Sequence, residues 1–374
     1  MTKKLDASNK FRDVFNSKII IDFAKELKKN YPEFNEKSFV NYIVPKLDSL
    51  EMKARKELIT DALYHHLPKD FKVSANILIK SLKPESSEKS GWDSFIIWPQ
   101  TTYISRYGHD HFDLSMKALY EMTKRLTAEF DIRFFIDNHY EKAMKLLHEW
   151  TNDSNHHVRR LVSEGTRPRL PWGMRLKRFQ ENPEPIIELL EKLKHDESLY
   201  VRKSVANNIN DISKDNRNIA ILLLKKWNKI DDANVKWIVR HASRSLIKQG
   251  HPQIMQMFGC TLNPEIFVSQ IIINPQKQKI GGEVEFSFSV RSNTGSKQNL
   301  IIDFIVHFQK SNGKTSPKVF KLKALKLGGK ETVTFNKKLS LKNMTTRKIY
   351  KGEHFIEIQI NGKSYSKSKF EVTN

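Results

Sequence analysis

The sequence predicts an α-helical repeat domain followed by an all-β sandwich of immunoglobulin type, and three observations predict it. From about Phe11 to Gly259, apolar residues recur three and four positions apart, the period of an amphipathic helix. After Thr261 the pattern changes to alternation, the period of a half-buried strand. Inside the helical part, one frame of residues returns at intervals typical of helical solenoids. The change of pattern divides the chain into residues 1–262 and 263–374.

The helical segments "DVFNSKIIIDFAKELKKN" and "PEPIIELLEKLKHD" carry the period most plainly. The repeating frame is two leucines, a bulky residue, and a valine followed by a cation. It reads Leu146-Leu147, Trp150, Val158-Arg159, then Leu189-Leu190, Leu193, Val201-Arg202, then Leu223-Leu224, Trp227, Val235-Lys236. The valines stand 43 and 34 residues apart, the spacing of HEAT-type repeats. A fainter copy upstream has Thr123 in the valine place. Each repeat is expected to be an antiparallel helix pair, and stacked pairs make an array with a concave face. The polar stretch "SLKPESSEKSGWD" (81–93) reads as a loop between helices.

In the second part the alternating runs are "EVEFSFSV" (283–290), "LIIDFIVHF" (300–308), "ETVTFNKKLSL" (331–341), "HFIEIQI" (354–360) and "KSYSKSKFEV" (363–372). Asn361-Gly362 joins the last two and is the strongest short hairpin signal. Six or seven short strands are expected, paired as an antiparallel sandwich. No cysteine pair or tryptophan marks its core, so spacing carries the assignment.

The formal net charge is +23 and the pI about 9.8. Such a field attracts polyanions, so nucleic acid is the first partner to consider and an acidic membrane surface the second. From residue 265 onward there are 20 Lys and Arg against 8 Asp and Glu, so the small β domain supplies about half of the excess. No apolar run approaches the roughly 20 residues of a membrane-spanning helix. "MTKKLDASNKFRD" has no apolar signal region, which speaks against secretion. Cys260 is the single cysteine, which excludes an internal disulfide and thiolate metal chemistry and suits the cytoplasm. No Gly-rich phosphate-binding string exists, and no cofactor is expected. His109 and His111 lack a third histidine at a useful spacing, so no metal site is expected there.

"SNHHVRRLVSEGTRPRLPWG" (154–173) gathers Arg159, Arg160, Glu164, Arg167, Arg169 and Trp172. Six residues beyond each valine position stand Glu129, Glu164, Asn207 and His241, polar residues expected on helices that otherwise supply core. One register projects from one face, so Glu129 and Glu164 are expected to be neighbours. A solvated glutamate is the ordinary fate of such a position, but two anions on a positive face need a use. Cleavage of an N-glycosidic bond suits them, since its transition state resembles an oxocarbenium ion that a fixed carboxylate stabilises. A second carboxylate can position or deprotonate water. Arg133, Arg167 and Arg169 are expected to meet lesion or flanking phosphates. Trp172 is expected either to pack on a base or sugar or to join the core. Asp211, in "VANNINDISKD", is expected to hold an arginine of the active face, and Asn208 to brace a neighbouring helix.

At these residues the chain resembles a known family. "LTAEFDIRFF" (126–135), "HVRRLVSEGTRPRLPWG" (157–173) and "YVRKSVANNINDISKD" (200–215) are similar to signature segments of the DNA alkylation-repair glycosylases built from HEAT-like repeats, AlkC type. "WPQTTYISRYGHDHFDLSMKALYEMTKRLTAEF" (98–130) is similar too, and the likeness runs over about residues 5–260. A C-terminal immunoglobulin-like domain occurs in one subgroup of that branch. The resemblance implies hydrolysis of alkylated bases from DNA, notably 3-methyladenine. The expected partner is double-stranded DNA containing alkylated bases, with no protein partner evident and a monomer expected. It carries over Glu129 and Glu164 as active-site carboxylates, with Arg160 and Trp172 beside them. "AEFDIR" holds two acids, and either Glu129 or Asp131 could face the site. The rival reading is a non-catalytic DNA-binding or scaffold protein on the same fold. With no acid poised to protonate a leaving base, a cationic base that departs neutral is the expected substrate.

Overall fold

The computed structural model describes residues 11–85, 91–344 and 347–374. Part of the loop expected at 81–93, and the N-terminal decapeptide, fall outside them. The chain forms two compact units, Met1–Ala220 with Asp231–His241, and Ile221–Ile230 with Ala242–Asn374.

The first unit is helical. Its helices include Met52–His66, Ile97–Tyr107, Phe112–Thr123, Ile132–Asn138, Tyr140–Trp150, His156–Gly165, Glu184–Leu193 and Leu199–Asp215. The repeating frame is the core of two helix pairs. Leu147, Trp150 and Val158 are buried in the first, and Leu189, Leu190, Leu193 and Val201 in the second. The helices His156–Gly165 and Leu199–Asp215 pack side by side. Starts are set by caps: Asn155 accepts from the His157 amide at 2.8 Å, and Asp70 from those of Lys72 and Val73.

The faint copy of the frame behaves differently. Its helix ends at Thr123, whose hydroxyl accepts from the Ala128 amide at 3.2 Å. Glu129 therefore lies in the turn before Ile132–Asn138 and not on a helix, which corrects the expectation from register.

The second unit holds, among the described residues, the short helices Arg244–Lys248 and Pro252–Met257 and nine strands. They are β1 (Ile266–Val268), β2 (Ile272–Asn274), β3 (Lys277–Lys279), β4 (Glu283–Ser292), β5 (Gln298–Gln309), β6 (Thr315–Leu327), β7 (Thr332–Ser340), β8 (Gly352–Ile360) and β9 (Lys363–Thr373). In one sheet β4 pairs antiparallel with β1, β2 and β7. The other runs β3-β9-β8-β5-β6, antiparallel except where β3 pairs parallel with β9. Phe286, Phe288, Phe304, Ile356, Ile358 and Phe370 fill the space between the sheets.

Nine strands exceed the six or seven expected. β1 to β3 have three residues each, too short to show alternation. β6, "TSPKVFKLKALKL", hides for another reason: its apolar phase slips between Leu322 and Leu325, and as an edge strand it exposes Lys318, Lys321, Lys323 and Lys326 and tolerates Pro317. The Asn361-Gly362 turn has φ of 48° and 80°, as a tight hairpin requires. Asn361 also donates to the carbonyls of Thr261 (2.7 Å) and Asn299 (3.1 Å). A Cβ on Gly362 would stand 2.0 Å from the Gly250 Cα, so the two backbones meet with no room for a side chain. Secondary structure changes between Met257 and Ile266, yet these contacts tie the residues just before that change into the sandwich unit.

Candidate active site

The helix His156–Gly165 buries Val158, Leu161 and Val162 on one side. The same winding puts Arg160 one turn before Glu164, and Arg167, just past the helix end, is turned back by its amide, which donates to the Glu164 carbonyl at 3.3 Å. Glu164 is 5 % exposed. Its Oε1 accepts from Arg167 Nη1 at 2.6 Å and lies 3.4 Å from Arg160 Nη2, while Ser204 donates to its Oε2 at 2.6 Å. Burial pushes this carboxyl's pKa up, but Arg160, Arg167 and the Ser204 hydroxyl outweigh it and hold it below the usual range.

Arg160 also donates to Glu129 Oε2, so one guanidinium bridges the two glutamates. The Thr127 hydroxyl donates to the same Glu129 oxygen at 3.1 Å and accepts from Arg160 at 2.8 Å. Glu129 Oε1 has no hydrogen-bond partner among the described residues, and the side chain keeps some access to solvent. On the far side Arg167 Nε donates to Asp211 at 2.8 Å, and Lys214 to the other Asp211 oxygen at 2.7 Å. Charges thus alternate from Glu129 through Arg160, Glu164 and Arg167 to Asp211. Each buried ion is neutralised by its neighbours, as burial demands. The Tyr200 ring lies 4.8 Å from the Arg160 guanidinium.

Asp131 faces elsewhere. Its carboxylate accepts from Thr101 (2.6 Å) and Ser105 (2.8 Å) on the helix Ile97–Tyr107, and burial raises its pKa. Of the two acids in "AEFDIR", Glu129 joins the arginine cluster and Asp131 fastens the turn behind it.

Arg133 has no surface to offer a phosphate. It is wholly buried and donates to the carbonyls of Gly165 (2.7 Å) and Met174 (2.9 and 2.6 Å). Burial, with Arg167 nearby, lowers its pKa to about 10. Arg167 is buried among carboxylates, and Arg169, half-buried, pairs with Asp215 at 2.7 Å. Asp211 holds Arg167 as expected, and Asn208 donates to the Ser163 carbonyl at 2.8 Å, bracing the helix that carries Glu164.

Trp172 is 66 % exposed, which excludes a core role, and its φ is 68°. A tryptophan in the left-handed region costs about 1–2 kcal/mol. The loop tolerates that because Arg133 ties Met174 to the end of the glutamate-bearing helix. The indole lines a different hollow from the ion pairs, together with Phe130 and Asp131. Ser204, Thr127 and Tyr200 belong to the cluster but did not stand out in the sequence. Two of them lie in "YVRKSVANNINDISKD", and a small hydroxyl carries no signal of its own. His109 and His111 stack on Phe135 and Phe71. Among the described residues no three metal-ligating groups converge, and no helix is long and apolar enough to cross a membrane.

Two relatives match the chain along almost its whole length. Pseudomonas fluorescens alkylpurine DNA glycosylase AlkC, in a structure bound to DNA containing an abasic-site analogue, is 34 % identical, superposes with a TM-score of 0.90, and covers 98 % of this chain and 100 % of its own. The chain belongs to the AlkC family. Uncharacterized protein YhaZ of Bacillus subtilis (strain 168) is 35 % identical over 362 residues, 96 % of this chain and 99 % of that one. Residues 267–374 match the family model of the YhaZ C-terminal Ig-like domain. AlkC membership agrees with the architecture above, a helical first part followed by a β-sandwich.

Proposed function

We propose that the protein is a DNA glycosylase of base excision repair that hydrolyses the N-glycosidic bond of cationic alkylated bases of the 3-methyladenine type. The observation that carries this reading is the pair of glutamates bridged by Arg160, in a chain whose formal net charge is +23. Glu164 is held ionised by two arginines and supplies a fixed negative charge to an oxocarbenium-like sugar. Glu129, with one oxygen free of protein partners, positions the water that attacks C1′. Asp211 keeps Arg167 against Glu164 and so fixes the orientation of that charge. A cationic base leaves as a neutral molecule, so the site needs no acid to protonate it.

The sandwich contributes binding through its excess of positive charge, with the lysines of β6 as its exposed contribution to phosphate contact. The lone cysteine suits work in a reducing cytoplasm. A scaffold role lacks support, because a phosphate-binding face has no use for buried glutamates. Base release from methylated duplex DNA by the purified protein tests the reading. Release of 3-methyladenine with no release of uracil or hypoxanthine is expected; efficient removal of uracil would overturn it.

A further inference from the structure

The hollow beside Trp172 has a volume of about 430 Å³, within the range of small-molecule sites. Lys53, Lys56, Trp98, Arg106, Phe130 and Trp172 line it. It begins one residue beyond Glu129 in the chain yet shares no side chain with the alternating ion pairs. Trp98 packs on Phe130 with centroids 5.4 Å apart and is nearly buried, so it belongs to the wall. Trp172 is the opposite case: a large, mostly exposed aromatic face, held out on a left-handed backbone. Backbone strain retained under an exposed indole points to a ligand for that indole.

The charges select the ligand. Lys56 is already paired with Glu57 at 2.6 Å, and Arg106 with Glu57 and with Asp61 at 2.8 Å. Lys53 is exposed and has no ion pair among the described residues; its Nζ lies 5.7 Å from the Trp172 ring. A cationic ring stacked there would be repelled by Lys53. A neutral ring that brings its own anion would satisfy both groups, the ring on the indole and the anion on the ammonium. We propose that this cleft is a nucleotide subsite: it takes a neutral nucleobase stacked on Trp172 with its phosphate on Lys53, the undamaged nucleotide adjoining the lesion in the strand. The inference rests on the glycosylase reading for its biological ligand, but the binding chemistry stands apart from the glutamates.

The test is equilibrium titration of the full chain with deoxyadenosine monophosphate, free adenine and inorganic phosphate, followed by tryptophan emission and calorimetry. Saturable quenching by the nucleotide is expected, about 10-fold tighter than by adenine because of one charge-assisted contact. Phosphate alone leaves the emission unchanged. Trp172→Leu should weaken nucleotide binding roughly 5- to 100-fold, the scale of one base–aromatic stack. Lys53→Gln, at an exposed position, should bring the nucleotide down to the affinity of adenine. Glu164→Gln should leave these affinities unchanged, and a wild-type protein that binds the nucleotide but releases no base from methylated DNA sinks the glycosylase reading and spares the subsite. No saturation by the nucleotide, equal binding of adenine and nucleotide by the wild type, or unchanged binding in both cleft variants overturns the proposal.

Discussion

The helical unit and the sandwich unit handle charge in opposite ways. The helical unit takes Glu164, Arg167, Asp211, Asp131 and Arg133 into its interior and compensates each with a neighbour. The sandwich leaves its lysines on the outside, and Asp303, on β5, is a carboxylate buried there without a hydrogen bond from a cation. Buried ions must be paired and fixed, so they are suited to preorganised chemistry; exposed ions make a field, suited to attraction. The two units would therefore contribute to one reaction through different quantities, rate in the first and salt-dependent affinity in the second.

The largest effect should come from Glu164→Gln. It keeps the shape and removes the charge, and base release should fall by a factor on the order of 10² or more, the scale of losing one electrostatic partner of the transition state. DNA affinity, measured in the same preparation, should stay the same or tighten. Full activity in this variant would undo the assignment of rate to the helical unit.

On the sandwich, replacing Lys318, Lys323 and Lys326 of β6 with Gln should lower the salt slope of DNA binding by up to about 2.7, at about 0.9 for each phosphate that is no longer neutralised. Release from saturating DNA should be unaltered. An unchanged slope would mean that the excess charge serves something else.

Asp131→Asn tests the same division within one turn. The amide retains an acceptor for Thr101 or Ser105 but changes their pairing, so a stability loss of about 1–3 kcal/mol is expected. Base release at a temperature where the variant is folded should fall far less than in Glu129→Gln. Equal losses would show that Asp131 takes part in the chemistry.

The smallest effect is in pH, and its sign differs between the units. Burial raises the pKa of Asp303 to about 6, so its folded form favours the proton. The stability this gives is present at acid pH and lost as pH rises through about 6, at most about 3 kcal/mol. Asp303→Asn should therefore flatten the decline in Tm between about pH 4 and pH 6. Glu164 has the opposite sign: its depressed pKa gives stability above the unfolded carboxylate value that is lost only as pH falls below it. A Tm for Asp303→Asn that still declines over that window would remove the assignment.

Much of the fold was legible because it rests on periodicity. Val158 and Val201 mark the buried faces of successive helices, and the alternation in "EVEFSFSV" marks β4. β6 was not legible, because its apolar alternation, Phe320 and Leu322 then Leu325 and Leu327, slips phase at the register shift opposite Ile302 and Asp303. For the site, register brought Glu129 and Glu164 together although Glu129 proved to lie in a turn.

The helical and sheet halves, the positive field, and the motif that carries Glu164 could all be read from the chain alone. Local periodicity and net charge are properties of the chain and need no fold to be read. Packing settled the rest: which acid of "AEFDIR" meets Arg160, that Arg133 holds backbone, and that Trp172 stands in solvent. These depend on which surfaces come together. Arginine's fork serves a phosphate, a carboxylate or a main-chain carbonyl equally well, and what chooses among them is burial and the partner that packing puts within about 3 Å.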